Sequence, residues 1–376
     1  MNLRKLIIMF GLAAVAVLGF LSARPALAAT DCTFTTSGTT MYLDADCTTD
    51  ETIFIPDGFT LDGQGHTITA EDPPAGHFTG AVVQNGGATA HVTKLVVTTT
   101  GLANVCEGGD DRLRGIMFDG ASGSITLNTV ADINKGASGC QEGNAIEVRN
   151  APFDGTHPNT QYVQVTHNVV EDYQKTGVLA NGDVRVDVTE NTISGLSPVP
   201  FIAQNGIQLG FGATGNVMRN HVDGNWFTGA NWSSSGILMF EVNDVSIHHN
   251  TVVENQIGVA VEAWCWFAPS ANNNKIIHNT LENNEYGVSV AAYVLGPGLS
   301  NCDPSADNNK VTNNSISTTD GEIGVFVGTG TAFCPCPSFT PSADNNKVIR
   351  NTISGYDVAV EDTGTTSKVH ANVFSP

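Results

Sequence analysis

The sequence predicts an all-β chain wound as a parallel β-solenoid, and three observations predict it. Asn-anchored units recur nine times, apolar residues stand at fixed strand-like spacings on both sides of each anchor, and no segment has helical periodicity. The anchors are Asn128, Asn168, Asn191, Asn220, Asn250, Asn279, Asn314, Asn351 and Asn372. Two units read almost alike: NTVVENQIGVAVEA begins at Asn250 and NTLENNEYGVSVAA begins 29 residues later at Asn279.

Three residues before the anchors stand Ile125, Val165, Val188, Val217, Ile247, Ile276, Val311, Val348 and Val369. Two residues after them stand Val130, Val170, Ile193, Val222, Val252, Leu281, Ile316, Ile353 and Phe374. A further register follows a Gly-Val or Gly-Ile element, with Ile116, Ile146, Val178, Ile207, Ile237, Val259, Val288, Val325 and Val358 each followed two places on by another inward residue. Alternation with a period of two is strand periodicity, and each strand is too short to form a core alone. Stacking units at about 4.8 Å per coil buries them all. Gly and Asn mark the places where the backbone must bend, and the anchor Asn is expected to stack into an amide ladder.

These units, with the lead-in IFIPDGFTLDGQGHTI from Ile53 to Ile68, resemble the right-handed parallel β-helix repeat proteins of the pectin-lyase-like superfamily. The resemblance covers nearly all of the mature chain and implies a right-handed single-stranded parallel β-helix with long loops at the coil corners. Such helices include polysaccharide lyases, hydrolases, epimerases, adhesins and proteins with no known activity, so the fold alone does not choose among them. The signatures of the known enzymes are missing. Asp110-Asp111 stands without the N-T-D, G-H-G or R-I-K of polygalacturonases, Asp303-Pro304 continues with Ser305 where alginate epimerases carry D-P-H, and R-x-P-x-x-R of pectate lyases is absent.

Residues 1–28 read as a secretory signal: Arg4 and Lys5, the apolar run LIIMFGLAAVAVLGFL, then Ala26-Leu27-Ala28. Residues 29–50 are expected to form an amino-terminal cap and 51–376 the β-helix, in a secreted mature protein with no membrane insertion. Removing the signal takes away Arg4, Lys5 and Arg24, so 13 basic residues face 37 acidic ones and the net charge moves from −21 to −24. That balance argues against nucleic acid as a partner and weakens unassisted attraction for acidic glycans, which bridging Ca²⁺ would restore. All eight Cys lie beyond the signal, none in a CxxC spacing, which favours disulfides over metal sites. Cys32 with Cys47, Cys106 with Cys140 and Cys265 with Cys302 are the preferred pairs, leaving Cys334 and Cys336 to pair locally or to swap in.

Insertions are uneven along the chain. The Asn191 and Asn220 units carry SPVPFIAQ and WFTGANWSSS after the anchor, while later units carry EAWCWFAPSANNN, YVLGPGLSNCDPSADNN and TGTAFCPCPSFTPSADNN after the Gly-Val strand. Loops are thus expected at one corner early and at another late, the late ones lying one above another.

Function must be sought on outward positions and loops, because inward columns are already assigned to packing. On the Gly-Val strands most outward residues are neutral or apolar, and three charged ones, Asp119, Glu147 and Arg149, fall on two successive coils. A carboxylate beside an Arg suits acid–base work on a sugar: the Arg neutralises a sugar carboxylate or oxyanion while a perturbed carboxyl shuttles a proton. A surface ion-pair ladder accounts for the same residues without chemistry. Trp226, Trp232, Trp264 and Trp266 occupy two loop regions, suited either to stacking on sugar rings or to covering Leu238 and Phe240. His167, His249 and His278 share a repeat slot with Arg219 and Arg350 and make a weak case for a metal. Clusters such as DPSADNN and EGGDD leave room for Ca²⁺ only locally. Two functions remain open: a secreted carbohydrate-active lyase or hydrolase using Glu147, Arg149 and Asp119 with the Trp loops as platform, or a non-catalytic extracellular scaffold that binds polysaccharide or protein.

Overall fold

The computed structural model describes residues 30–150, 160–266, 268–294, 302–331 and 339–375. The secretory segment read at residues 1–28, together with Cys334 and Cys336, lies outside them. A typical coil contributes three short strands. Around Asn250 these are Ser246–His248, Thr251–Val253 and Ile257–Ala263, and the next coil repeats them as Lys275–Ile277, Thr280–Glu282 and Tyr286–Val294. Pairing is parallel and in register: Ile247 opposes Ile276, Val252 opposes Leu281 and Val259 opposes Val288.

The first strands of the coils stack into a 13-stranded sheet. The second and third strands together make a 21-stranded sheet, joined where Ser315–Thr331 and Thr352–Asp362 run through as single strands. At the amino end Phe34–Ser37 pairs antiparallel with Thr40–Leu43, whose residues Thr40 to Tyr42 already stack parallel on Thr60 to Asp62. All three sets of inward columns meet in one core, with Ile125, Val165, Val188, Val130, Val170, Ile193, Ile116, Ile146 and Val178 fully buried.

The corner between first and second strands is two residues long. Its first residue is left-handed in every unit from Leu127 (φ 59°) through His167, Glu190, Arg219, His249, His278, Asn313 and Arg350 to Ala371 (φ 55°). That conformation costs an L-residue about 1–2 kcal/mol, and none of these is a glycine. The second residue is the anchor Asn, and it offsets the cost. Asn250 Oδ1 accepts from the backbone N (2.9 Å) and the Nδ2 (3.0 Å) of Asn220, while its own Nδ2 donates to Val217 O and Asn279 Oδ1, both at 2.9 Å. The same contacts run unbroken from Asn128 to Asn372. The expected amide ladder is therefore present, and it satisfies both donors and the acceptor of each buried amide.

Two shorter ladders were not read from the sequence. Asn225, Asn255 and Asn284 bond in series at the corner before the third strand, and Asn274, Asn309 and Asn346 do so at the end of the late loops. Ser270, Ser305 and Ser342 are bridged coil to coil just before them, so the late loops do end one above another.

The repeated Gly of the Gly-Val element has a different reason from the one expected. These glycines are needed for close approach and not for a bend: a Cβ on Gly206 would stand 2.3 Å from Val222 Cγ1 and 2.6 Å from the Gly236 carbonyl oxygen. The last coil also departs from the expected register. Val358 pairs with Ile323 and Val360 with Val325, two residues displaced, because the pairing slips between Ser317 and Gly321. Val358 is accordingly 42% exposed, and Val369 and Phe374 are open at the same end.

Replacing Asn250 by Ala strands the Asn220 amide and the Val217 carbonyl inside the core, at about 1–3 kcal/mol for each buried group left unpaired. Asn250→Ala is expected to lower the urea midpoint clearly more than Asn372→Ala, which removes only the terminal rung; equal shifts would mean that the ladder carries little of the stability.

Candidate functional site

Outward residues of the third strands form parallel rows, one residue per coil. One row runs Met117, Glu147, Leu179, Gln208, Leu238, Ala260 and Ser289, and the next runs Asp119, Arg149, Asn181, Gly210, Phe240, Glu262 and Ala291. Neighbours in a row sit about 4.8 Å apart, because strand spacing sets the coil rise.

Asp119 stands beside Arg149 across the strand pair, and Arg149 Nη2 donates to Asp119 Oδ2 at 2.8 Å and to Asp110 Oδ1 at 2.5 Å. Arg149 is 7% exposed. Burial opposes its charge, but the two carboxylates outweigh that and raise its pKa, while the guanidinium holds Asp110 below the usual carboxylate range. Glu147 is engaged elsewhere. It accepts from Arg114 Nε at 2.6 Å and from Asn144 Nδ2 at 2.9 Å, and is itself buried. The rest of the Arg114 guanidinium donates to the carbonyls of Gly109, Asp110 and Arg112, so Glu147 fixes the 3₁₀ turn Gly109–Asp111 that brings Asp110 to Arg149.

Polar capacity is left over at this spot. Asp119 Oδ1, Arg149 Nε and Asn181 Oδ1 are buried atoms without a hydrogen-bond partner, and all three belong to neighbours in one outward row on three successive third strands. Buried polar atoms are nearly always paired in folded proteins, so a cluster of exceptions marks a place that a ligand or ordered water completes.

Farther along the same rows the four tryptophans divide. Trp264 stacks on Phe240 (centroids 6.5 Å apart, 26° between planes) and meets Tyr293 at 4.7 Å and Trp232 at 6.1 Å, while Trp266 meets Phe240 edge-on at 5.9 Å. Trp226 stands apart, its backbone bonded to the Ser197 hydroxyl and to Val199 N. Within the cluster Trp264 covers Phe240, whereas Trp232 and Trp266 stay 48% and 51% exposed.

Glu262, directly above Phe240 in its row, is a candidate acid that the sequence reading does not single out. Its Oε2 accepts from Trp264 Nε1 at 2.9 Å. Burial among rings pushes its carboxyl above the ordinary range, and the Trp264 bond offsets only part of that. A carboxyl against indole rings keeps its proton to a higher pH than a solvated one, the direction that suits a general acid. Sequence alone offers only a weak signal for it, the E-A-W spacing that lets an indole N–H reach back two residues.

Cys32 pairs with Cys47, Cys106 with Cys140 and Cys265 with Cys302, at Cα separations of 5.0, 5.1 and 6.1 Å. The second and third bridges each tie one coil to its neighbour, and the first ties the segment before the first coil to that coil. The acidic clusters weighed for Ca²⁺ are engaged internally: Asp307 accepts from Ser342 Oγ and Asp344 N, Asp303 accepts from Thr340 N, and Asp110 serves Arg149. Among the described residues the groupings of possible metal ligands both contain disulfide cysteines.

Residues 114–303, half of the chain, match a family model described as right handed beta helix region. The chain superposes on the periplasmic alginate epimerase AlgG with a TM-score of 0.59 at 11% identity, covering 91% of this chain and 80% of that one. A double mutant of the same enzyme gives a TM-score of 0.53 at 13% identity, with 91% and 80% covered. No curated protein sequence matches the chain.

Two outcomes are expected at these residues. Glu147→Gln leaves the buried Arg114 charge uncompensated, a change worth about 3–5 kcal/mol, so calorimetry should show a marked loss of thermal stability. Glu262 binds its proton more tightly when folded than when unfolded, so its ionisation penalises the folded state at neutral pH, and that penalty fades as pH falls through the raised value towards the ordinary carboxylate range. Glu262→Gln should therefore unfold at a higher temperature than wild type at pH 7 to 8, with the difference closing in acid; a variant less stable at neutral pH would contradict this.

Proposed function

The chain belongs to the right-handed β-helix family, and on that scaffold we propose that it is an exported carbohydrate-engaging protein that holds a sugar chain along the outward face of its third strands. The observation that carries the reading is the cluster of unsatisfied buried polar atoms at Asp119, Arg149 and Asn181, in line with the aromatic cluster and Glu262 on the same face. Three disulfides agree with an oxidising, extracellular or periplasmic setting. From Arg149 to Glu262 is four coils, roughly 19 Å at the strand spacing, enough for several sugar units in a row.

The roles follow from the chemistry of each group. Arg149 offers a guanidinium edge to a sugar carboxylate or hydroxyl, and Asp119 and Asn181 offer acceptors to hydroxyl hydrogens. Trp232 and Trp266 present half-exposed faces on which a pyranose stacks. Glu262 supplies a proton to a glycosidic oxygen, the step that a lyase or hydrolase needs. Glu147 acts behind them as a positioning residue through Arg114. The second reading, a non-catalytic binding scaffold, is favoured by that same commitment of Glu147 to an ion pair.

Product release from a panel of neutral and uronic-acid polysaccharides, with and without Ca²⁺, tests the proposal when paired with binding measurements. Arg149→Ala is expected to weaken glycan affinity at least tenfold. Release by wild type that Glu262→Gln abolishes while binding persists identifies an enzyme. Binding without release selects the scaffold, and no binding to any glycan overturns the reading.

A further inference from the structure

The 13-stranded sheet shows its own outward side, away from the third strands with which it shares a core. Over its last four coils Lys275, Lys310, Lys347 and Lys368 stand directly opposite one another in register. Lys275, Lys310 and Lys368 are exposed and Lys347 is half-buried. Half of the chain's eight lysines are therefore in one row.

The strands of the row and their corners carry no acidic residue. The segments KIIHN, KVTNN, KVIRN and KVHAN, which carry these strands and their corners, add Arg350, His278 and His370 and hold no Asp or Glu, in a chain with 37 acidic residues. Among the described residues Lys94 pairs with Asp62 and Lys135 with Glu142, but none of the four stacked lysines has a carboxylate within ion-pair distance. The nearby acids Asp307 and Asp344 are turned into the corner, bonded to Ser342 Oγ and to the Thr365 backbone N and hydroxyl. Arg219, His248 and His249 continue the basic character one and two coils back. There burial, then the charges of His249, Arg219 and His278, hold His248 below the ordinary imidazole range.

Like charges directly opposite on neighbouring strands repel, so a fourfold stack without counter-charges is retained at a cost to the fold. Its shape says what would relieve that cost. The row is one ammonium wide, straight, and repeats at about 4.8 Å. We infer that the lysine row on the 13-stranded sheet is a second binding site, separate from the Arg149 face, that docks a linear polysaccharide bearing one carboxylate on each sugar. Such a chain carries one anion per sugar along a single narrow strand, and its flexible linkages with the long lysine side chains let carboxylates on alternating sides reach the row. A nucleic acid duplex would bring two phosphate strands against a row one ammonium wide, on a chain in which 37 acidic residues face 16 basic ones. The overall charge of −21 does not forbid local docking, because exposed charges are screened beyond about 8 Å at physiological ionic strength.

Binding of sodium polygalacturonate to the full mature chain, measured by calorimetry at low and physiological salt without Ca²⁺, tests this. The measurement is made in an Arg149→Ala background, so that the outcome does not depend on the other face. The Lys310→Gln/Lys347→Gln double variant is expected to lose at least tenfold in affinity and most of the salt dependence. Lys310→Arg/Lys347→Arg is expected to keep both, and uncharged dextran to stay unbound. Unchanged affinity in the Gln variant, absence of polygalacturonate binding, or equally tight binding of a single-stranded DNA oligonucleotide would each overturn the assignment.

Discussion

Everything in this molecule rests on a two-residue corner that must turn the chain without leaving an amide unsatisfied. The first residue takes a left-handed backbone, unfavourable for any residue with a Cβ, and the second donates and accepts through a buried side-chain amide. Asn alone has the reach and the two-sided capacity to do this, since Asp has no donor and Gln is one methylene longer. Once that corner repeats at a fixed height, strand register and core columns follow, and loop length becomes free to vary at the other corners. The candidate site is a product of that freedom, because rigid strands set its rows while the loops bring Asp110 to one end and the Trp rings to the other.

The fold was legible because its period is short and its key residues are chemically distinctive. Nine anchors with apolar residues three before and two after define coils without knowledge of any loop, and the structure has those coils. What the spacing could not supply was contact detail. Gly206 looked like a bend and is a close approach, because sequence does not reveal which backbone passes nearby. Val358 looked like the next member of its column, but a slip at Gly321 moved the strand by two residues. The Asn225 and Asn274 ladders were hidden among other Asn residues, where nothing in composition separates a stacked amide from a solvated one.

The candidate site was read in part for the same reason. Asp119 and Arg149 were placed together correctly because alternation and coil stacking fix both. Glu147 was placed on the right face, yet its partner Arg114 lies at the start of the preceding coil's strand and takes it out of reach of Arg149. Glu262 was invisible as an acid because its character depends on Trp264, Tyr293 and Phe240 closing around it, an arrangement made by loops of unequal length.

The three disulfides also have a mechanical meaning. A coil touches only the coils on either side, so a chain pulled from its carboxy terminus should peel away one coil at a time, each release lengthening it by a few tens of residues. Cys302 is fastened to Cys265 and Cys140 to Cys106, so tension passes across either bridge and the coil's worth of chain between its cysteines cannot extend, and the last step meets Cys47 held to Cys32. Under tension the helix would behave as a clasped spool, paying out coil by coil between the bridges and withholding the length that each one encloses.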